Sequence, residues 1–396
     1  MQKYTLTLFV ILFALFPLHS DAQRSDVQQR SWSERVGLLI DGGAEYSGRI
    51  SFYDQFQADS LSAENRKTLE PVERFPEAFQ TAGGRFRFGL LNRPILDFSF
   101  DRPVGGSVEQ DKVFAFREHK VENLSNYALG VDIAPLWYVL IPDSPWLIRT
   151  LLSVRLRTHR EMAHTFFRPE DTIHALGTSN DFSDARVNDQ TGLLEYTPNQ
   201  EYVYEAFYRY QSIDIPLLYG VQQMEDTETG EKTDTDLLLS LRIGLSRWNI
   251  DRPYFTRFPQ WDNAVYTYLV NEETIALFGE LDMQVDRGRD RFMPSFGMRI
   301  SGDWGIASSL TNNRFDLHDL YYPDSDEDLD PETYKVETDL YFTFNLISSR
   351  RVRVSLRHKL SMHVYLSQVN NFAKNFDRYY QRDILLFGSA ALAFSF

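Results

Sequence analysis

The sequence predicts an all-β chain, a transmembrane antiparallel up-and-down β-barrel of twelve strands with ten as the alternative. Three observations carry that prediction. Apolar and polar residues alternate with period 2 over many separate stretches. Short and long connections alternate between those stretches, as they do where turns face one side of a membrane and loops the other. The closing stretch Asp383 to Phe396, DILLFGSAALAFSF, keeps its alternation to the last residue instead of fraying into a polar tail. After residue 22 no apolar run approaches the roughly 20 residues that a membrane helix needs.

In chain order, residues 1–22 read as a secretory signal peptide. Lys3 supplies the positive end, Leu6 to Leu18 the apolar run, and Ser20-Asp21-Ala22 a small-x-small cleavage site. Residues 23–396 then form one barrel domain. The chain has no Cys, so thiol chemistry, disulfides and a cysteine-linked lipid anchor are excluded. Aromatics make up 14% of the chain, yet mean hydropathy is only −0.37, as expected when lipid meets alternate residues alone. A net charge of −15 argues against nucleic acid as a partner.

The first strand is expected within Val36 to Phe52, with Asp41, Glu45 and Arg49 inward, and shorter matches at Arg85–Leu90 and Ile95–Phe100 form a hairpin. Leu129, Val131, Ile133, Trp137 and Val139 mark a further strand, and Ile148, Leu152, Val154 and Leu156 the next, with Arg149, Arg155 and Arg157 inward. Ile213, Ile215, Leu217 and Tyr219 share one face of the strand that follows. Leu237 to Leu245 then alternates against Ser240, Arg242 and Ser246, and Ile275 to Val285 against Glu280, Asp282 and Gln284. Phe296 to Trp304 sets Arg299 and Asp303 inward. Glu337 and Asp339 face inward from the following strand, then Arg353, Arg357, Lys359 and His363 from Arg351–Leu366. Pairing Leu346 with Val352 would set Asp339 opposite Lys359 and Tyr341 opposite Arg357.

Turns are expected at Asn92–Pro94, Ile141–Pro145, Gln222–Thr235, Asp286–Asp290 and Ser348–Arg350. The loops opposite them are expected near 55–83, 101–126, 159–202, 249–272, 305–334 and 368–382. Tyr127, Trp137, Tyr138, Trp146, Trp248 and Trp304 near strand ends suggest aromatic girdles at the membrane interfaces.

The segment Tyr210-Gln211-Ser212-Ile213-Asp214-Ile215-Pro216-Leu217-Leu218-Tyr219 resembles the Y-x-x-I-x-I-P-L-L stretch of PorT-like outer-membrane barrel proteins of Bacteroidota. Val36-Gly37-Leu38 with Gly42-Gly43 is similar to the glycine-containing first strand of that family. The resemblance implies a barrel in the outer membrane and transfers no functional residue. This chain is longer than the family pattern, which leaves a secretion-system role uncarried.

The candidate lumen-lining set is Arg149, Arg155, Arg157, Glu280, Asp282, Arg299, Glu337, Asp339, Arg353, Arg357, Lys359 and His363. Both signs of charge occur in it, so mutual neutralisation is weighed above a charge-selective pore lining. Leu392, Phe394 and Phe396 form the expected recognition signal for the barrel assembly machinery. The acidic run Asp324–Glu332 offers hard oxygen ligands for Ca²⁺ but lacks the turn glycine of an EF-hand, and a solvated loop is the simpler reading. His159 and His164 have the wrong spacing for a zinc helix. No nucleophile–base spacing is recognisable, so neither catalysis nor a cofactor is expected, although His119, His159, His164 and His318 leave a rim hydrolase as the least favoured alternative. The expected partners are outer-membrane lipid, the assembly machinery, and small solutes or a surface partner.

Overall fold

A computed structural model describes residues 38–58, 73–90, 93–104, 116–140, 146–175, 186–187, 194–225, 232–257, 265–287, 294–311, 332–348, 353–373 and 376–395. The barrel strands are β1 (Leu38–Ala58), β2 (Glu73–Leu90), β3 (Arg93–Pro103), β4 (Phe116–Asp132), β5 (Arg155–Pro169), β9 (Tyr202–Glu225), β10 (Lys232–Arg257), β11 (Val265–Asp286), β12 (Ser295–Thr311), β13 (Glu332–Ser348), β14 (Arg353–Ala373) and β15 (Phe376–Ser395). Helices α1 (Ala134–Leu140) and α2 (Trp146–Leu152) lie between β4 and β5. The short strands β6 (Ile173–Ala175), β7 (Arg186–Val187) and β8 (Leu194–Tyr196) lie between β5 and β9. Each barrel strand pairs antiparallel with its neighbours in sequence order, β1 pairs with β15, and β10 pairs with both β9 and β11. Twelve strands therefore close into a ring. Closure satisfies the backbone polar groups of every strand without water, as a bilayer requires.

Side chains sort by parity. Leu245, Ile275, Leu277, Leu340 and Leu360 stand exposed on the outer wall, while Ser240, Arg242, Glu280, Asp303 and Asp339 are buried inside. An exterior of Leu and Ile around an interior of charge is a membrane barrel; a water-soluble one would be inverted. The outward apolar band covers only part of the longest strands, from Leu237 to Leu245 on β10 for example. β10 is 26 residues long, against the ~9–11 that span a bilayer. The surplus lies at the end away from the short turns.

That surplus corrects the loop expectations. The segments expected as loops at 249–272 and 368–382 are largely strand: β10 runs to Arg257, β11 starts at Val265, and only 374–375 separate β14 from β15. Outside the membrane the outer wall meets water, so the apolar alternation that marks a strand in sequence fades while the ladder continues.

Four further expectations change. The sequence pattern places strands through Val139 and from Ile148, with a turn at Ile141–Pro145. Instead β4 stops at Asp132, and α1 and α2 fill the connection. Each helix has 7 residues, too few for helical and strand periods to be told apart in sequence. Arg149 consequently sits on α2 and not on a lumen-facing strand.

The β13–β14 register also differs: Asp339 faces Ser361, Tyr341 faces Lys359 and Thr343 faces Arg357, because pairing begins at Ser348 with Arg353, out of step with the expected turn, and a bulge at Leu346 takes back only part of that offset. On β9 a second bulge at Leu217 lets Leu218 pair with Leu241 and Pro216 with Arg242. Ile213 therefore faces out whereas Tyr219 turns into the lumen. Pro216, with no N–H to give the ladder, sits beside that bulge, where strands tolerate proline.

Trp248 is likewise no girdle residue; it is 1% exposed and points into the lumen. The expected signal peptide 1–22, His318, the acidic run 324–331 and Phe396 lie outside the described residues, as do the side chains of Asp41, Arg49, His119, Tyr138, Trp146, Arg149, Arg353 and Phe394.

Candidate functional site

The lumen is the candidate site, and it is filled in layers. Nearest the short turns, three guanidiniums meet three carboxylates. Arg155 donates from Nε to Asp214 Oδ1 and Oδ2 at 3.0 and 3.1 Å, and from Nη1 to Glu280 Oε1 at 2.5 Å. Arg157 Nη1 donates to Glu280 Oε2 at 3.0 Å, and its Nε donates to Ser212 Oγ at 3.2 Å. Arg242 donates to Asp214 Oδ1 at 2.9 Å and to Asp132 Oδ2 at 2.5 Å. The Arg157 guanidinium also lies 4.7 Å from the Phe278 ring centroid, a cation–π contact.

Three of these links cross the lumen. β5 and β11, like β4 and β10, are separated by two intervening strands, so Arg155–Glu280, Arg157–Glu280 and Arg242–Asp132 are chords and not neighbours along the wall. The walls approach closely here as well. A Cβ on Gly244 would lie 2.1 Å from the Ile213 carbonyl oxygen and 2.6 Å from Asp214 Cα, so β9 and β10 can come together at Asp214 only around a glycine. Asp132 also acts outside the lumen. Its Oδ1 accepts from the Ala134 N–H at 2.9 Å and caps α1.

The other side of the lumen centres on Asp339, which is fully buried. Arg299 donates to its Oδ2, Tyr341 OH donates to the same oxygen at 2.9 Å, and Lys359 Nζ lies 3.3 Å from Oδ1. His363 Nε2 is 3.7 Å from that oxygen. Lys335 Nζ pairs with Glu337 Oε1 at 2.6 Å, and Arg299 reaches Glu337 at 3.9 Å. Arg85 Nε donates to Asp97 Oδ1 at 2.8 Å along the β2–β3 wall. Charges withdrawn from bulk water are held by partners with hydrogen-bonding geometry, the condition for keeping them ionised there.

Farther from the short turns the filling becomes aromatic. Trp248 Nε1 donates to Glu272 Oε1 at 3.2 Å, Tyr365 OH donates to Glu272 Oε2, and the two rings meet edge to face at 6.4 Å. Tyr210 OH donates to Asp303 Oδ1 at 3.1 Å, and Lys335 Nζ sits 4.1 Å over the Tyr210 ring. At the mouth, Tyr196 of β8 packs on the inward-facing Phe167 and Tyr202, with centroids 5.4 and 4.6 Å away. Tyr202 OH accepts from the Thr197 N–H at 2.8 Å. β6 pairs parallel with β11, Ile173 against Val265, so part of the β5–β9 connection is bound to a strand beyond β9 and β10.

Of the expected lumen residues, Arg155, Arg157 and Glu280 meet in one cluster, and Arg299, Glu337, Asp339, Lys359 and His363 in the other. Asp282 accepts from Gln284 Nε2 at 3.0 Å on the same inner face, and Arg357 lies partly buried two residues from Lys359. Arg353 opens β14. The expected set lacks Asp214, Arg242, Asp132, Trp248 and Tyr365, which the fold adds. Alternation already sets Arg242 opposite Leu241 and Ile243, and Asp214 falls between Ile213 and Ile215 on the opposite face, ahead of the bulge at Leu217; Trp248 was hidden by an interfacial reading of tryptophan.

No protein-family model matches this sequence, and no curated protein does. Among solved structures, the outer-membrane protease OmpT of Escherichia coli is 9% identical, with TM-score 0.32 over 90% of this chain and 97% of its own. An outer-membrane channel from Pseudomonas putida F1 is 10% identical, with TM-score 0.31 over 90% and 96%. A FadL homologue from Pseudomonas aeruginosa is 9% identical, with TM-score 0.27 over 91% and 90%. At these values the likeness decides nothing about this chain. The closed twelve-strand ring, its apolar exterior and its charged interior rest on this chain's own pairing and burial, and they make it an antiparallel β-barrel of the outer-membrane type.

Proposed function

We propose that this chain is an outer-membrane barrel, exported by its signal peptide, that passes small charged solutes through a lumen held shut at rest by its own ion pairs. The observation that carries the reading is the set of chords from Arg155 and Arg157 to Glu280 and from Arg242 to Asp132. A lumen whose only need was to be plugged would be as stable, or more so, with apolar filling, because buried ion pairs rarely outcompete well-packed hydrophobic groups. Guanidinium–carboxylate pairs have a property that apolar packing lacks: either partner can be exchanged for a charged solute. The Tyr210–Tyr219 segment supports kinship with PorT-like barrels, and Leu392 with Phe394 supports recognition by the assembly machinery.

Planar-bilayer recording tests the reading. The wild-type barrel should be silent or show brief, small openings, and Glu280→Ala should lengthen and enlarge them. A large, steady wild-type conductance would refute rest-state closure. Silence in the wild type and in Glu280→Ala and Arg242→Ala alike would leave a second reading, a surface platform, which the extension of β10 and β11 beyond the apolar band favours.

A further inference from the structure

The connection between β4 and β5 presents an apolar face that no described part of the barrel covers. On α2, Leu147, Ile148, Leu151 and Leu152 follow the i, i+1, i+4, i+5 spacing that gathers side chains on one side of a helix. They are 53, 47, 59 and 42% exposed, and Leu140 at the end of α1 is 57% exposed. The hairpin is nevertheless anchored. Asp132 caps α1, Ala134 is fully buried beside Tyr219 and Leu238, and Trp137 Nε1 donates to the Leu152 carbonyl at 2.6 Å. A seven-residue helix gains little stability in water on its own, so this face is held in place by attachments at its two ends.

We propose that the α2 face is seated in the headgroup–acyl boundary of the leaflet at the short-turn rim, as a lateral extension of the lipid-facing band. Continuity identifies the occupant as lipid. Shortly after Leu152 the chain reaches Leu156, which opens the lipid-facing row of β5 opposite Ile213, and both of those are half exposed on the outer wall. α1 lies against β2 and β3 and α2 against β9, so the hairpin spreads along the rim on both sides of its own strands. An amphipathic helix in that position buries one side a few ångströms into the interface and leaves the other in water. The inference rests on the barrel spanning a membrane, and does not depend on whether its lumen conducts.

The absence of Cys makes the test clean. Single variants Ile148→Cys, Leu151→Cys and Leu156→Cys would each be spin-labelled in the full chain. They would be refolded into phosphatidylethanolamine–phosphatidylglycerol vesicles and checked for heat-modifiable migration. Collision of each label with oxygen and with a water-soluble nickel chelate would then be compared. Labels at 148 and 151 should lose nickel-chelate broadening and keep oxygen broadening, as the label at 156 does. Strong nickel broadening at 148 and 151, with 156 in lipid, overturns the proposal. So does shielding of 148 and 151 from both reagents, the signature of a protein partner or a second copy. Nickel broadening at 156 itself would overturn the membrane-spanning reading instead.

Discussion

Arg242 and Asp132 approach to 2.5 Å although two strands separate their own strands around the barrel wall. Through Asp132 Oδ1 the same contact reaches the first turn of α1. One carboxylate thus ties the ion-pair network in the lumen to the helical connection at the rim. Asp132→Asn keeps the cap acceptor but weakens the charge pair, whereas Asp132→Ala loses both. The alanine variant should loosen the hairpin and so sharpen the spectrum of a spin label at position 148 more than the asparagine variant does, and equal spectra would separate the two structures.

Glu280 accepts from two guanidiniums while being only 2% exposed. Glu280→Ala leaves Arg155 and Arg157 facing each other with one fewer counter-charge. Losing one partner of a buried pair costs about 3–5 kcal/mol. Urea titration of the vesicle-refolded barrel should show that loss. Adding Arg157→Met should recover part of it, and a further loss on adding it would contradict the pairing.

The outer wall gives a contrasting expectation. Leu277, more than half exposed, lies within the apolar band on β11. Leu277→Arg should cost about 2–4 kcal/mol in a bilayer, the penalty of a cation near the membrane midplane. In detergent-free soluble conditions no such penalty would exist. The same urea titration reads it, and an unchanged midpoint would move Leu277 out of the membrane.

At Gly244 the prediction is steric. A Cβ there would collide with the β9 backbone at Ile213 and Asp214, which cannot swing aside as a side chain can. Gly244→Ala should destabilise the barrel by about 1–3 kcal/mol, the range for overpacking. It should also displace Asp214 from Arg155 and Arg242, raising conductance together with the stability loss.

At the mouth, Tyr202→Phe removes only the acceptor for the Thr197 N–H. The expected loss is about 1 kcal/mol. Hydrogen exchange at Thr197 should quicken several-fold while exchange in β10 and β11 stays unchanged; uniform quickening would mean that the mouth segment and barrel open together.

Much of the barrel was legible in sequence because lipid outside and charge inside impose a two-residue rhythm. Leu237 to Leu245 and Ile275 to Val285 carry it without interruption, and Ser240, Arg242 and Glu280 are buried on the opposite face. The rhythm misleads where one residue is inserted. Leu217 and Leu346 each add a residue to one strand only, which no local pattern announces. It also misleads where an element is too short to complete a period, as in α1 and α2. The chords were beyond reach for a different reason. Arg155 and Glu280 are brought together by the curvature of the wall across β9 and β10, and nothing in the chain near either residue encodes that curvature.

The seam between β1 and β15 has a kinetic consequence. Gly42, Gly48, Ser47 and Ala44 meet Phe394, Gly388, Ser389 and Leu392, so the ring shuts only when residues from the two ends of the described chain find each other. Until then β1 and the last strand already added each offer an unpaired edge. Loop-closure entropy opposes that last step more than any preceding hairpin. Folding of this barrel should accordingly stall, when it stalls, as a nearly complete curled sheet with both edges open. In that form it is most exposed to mispairing with a second chain.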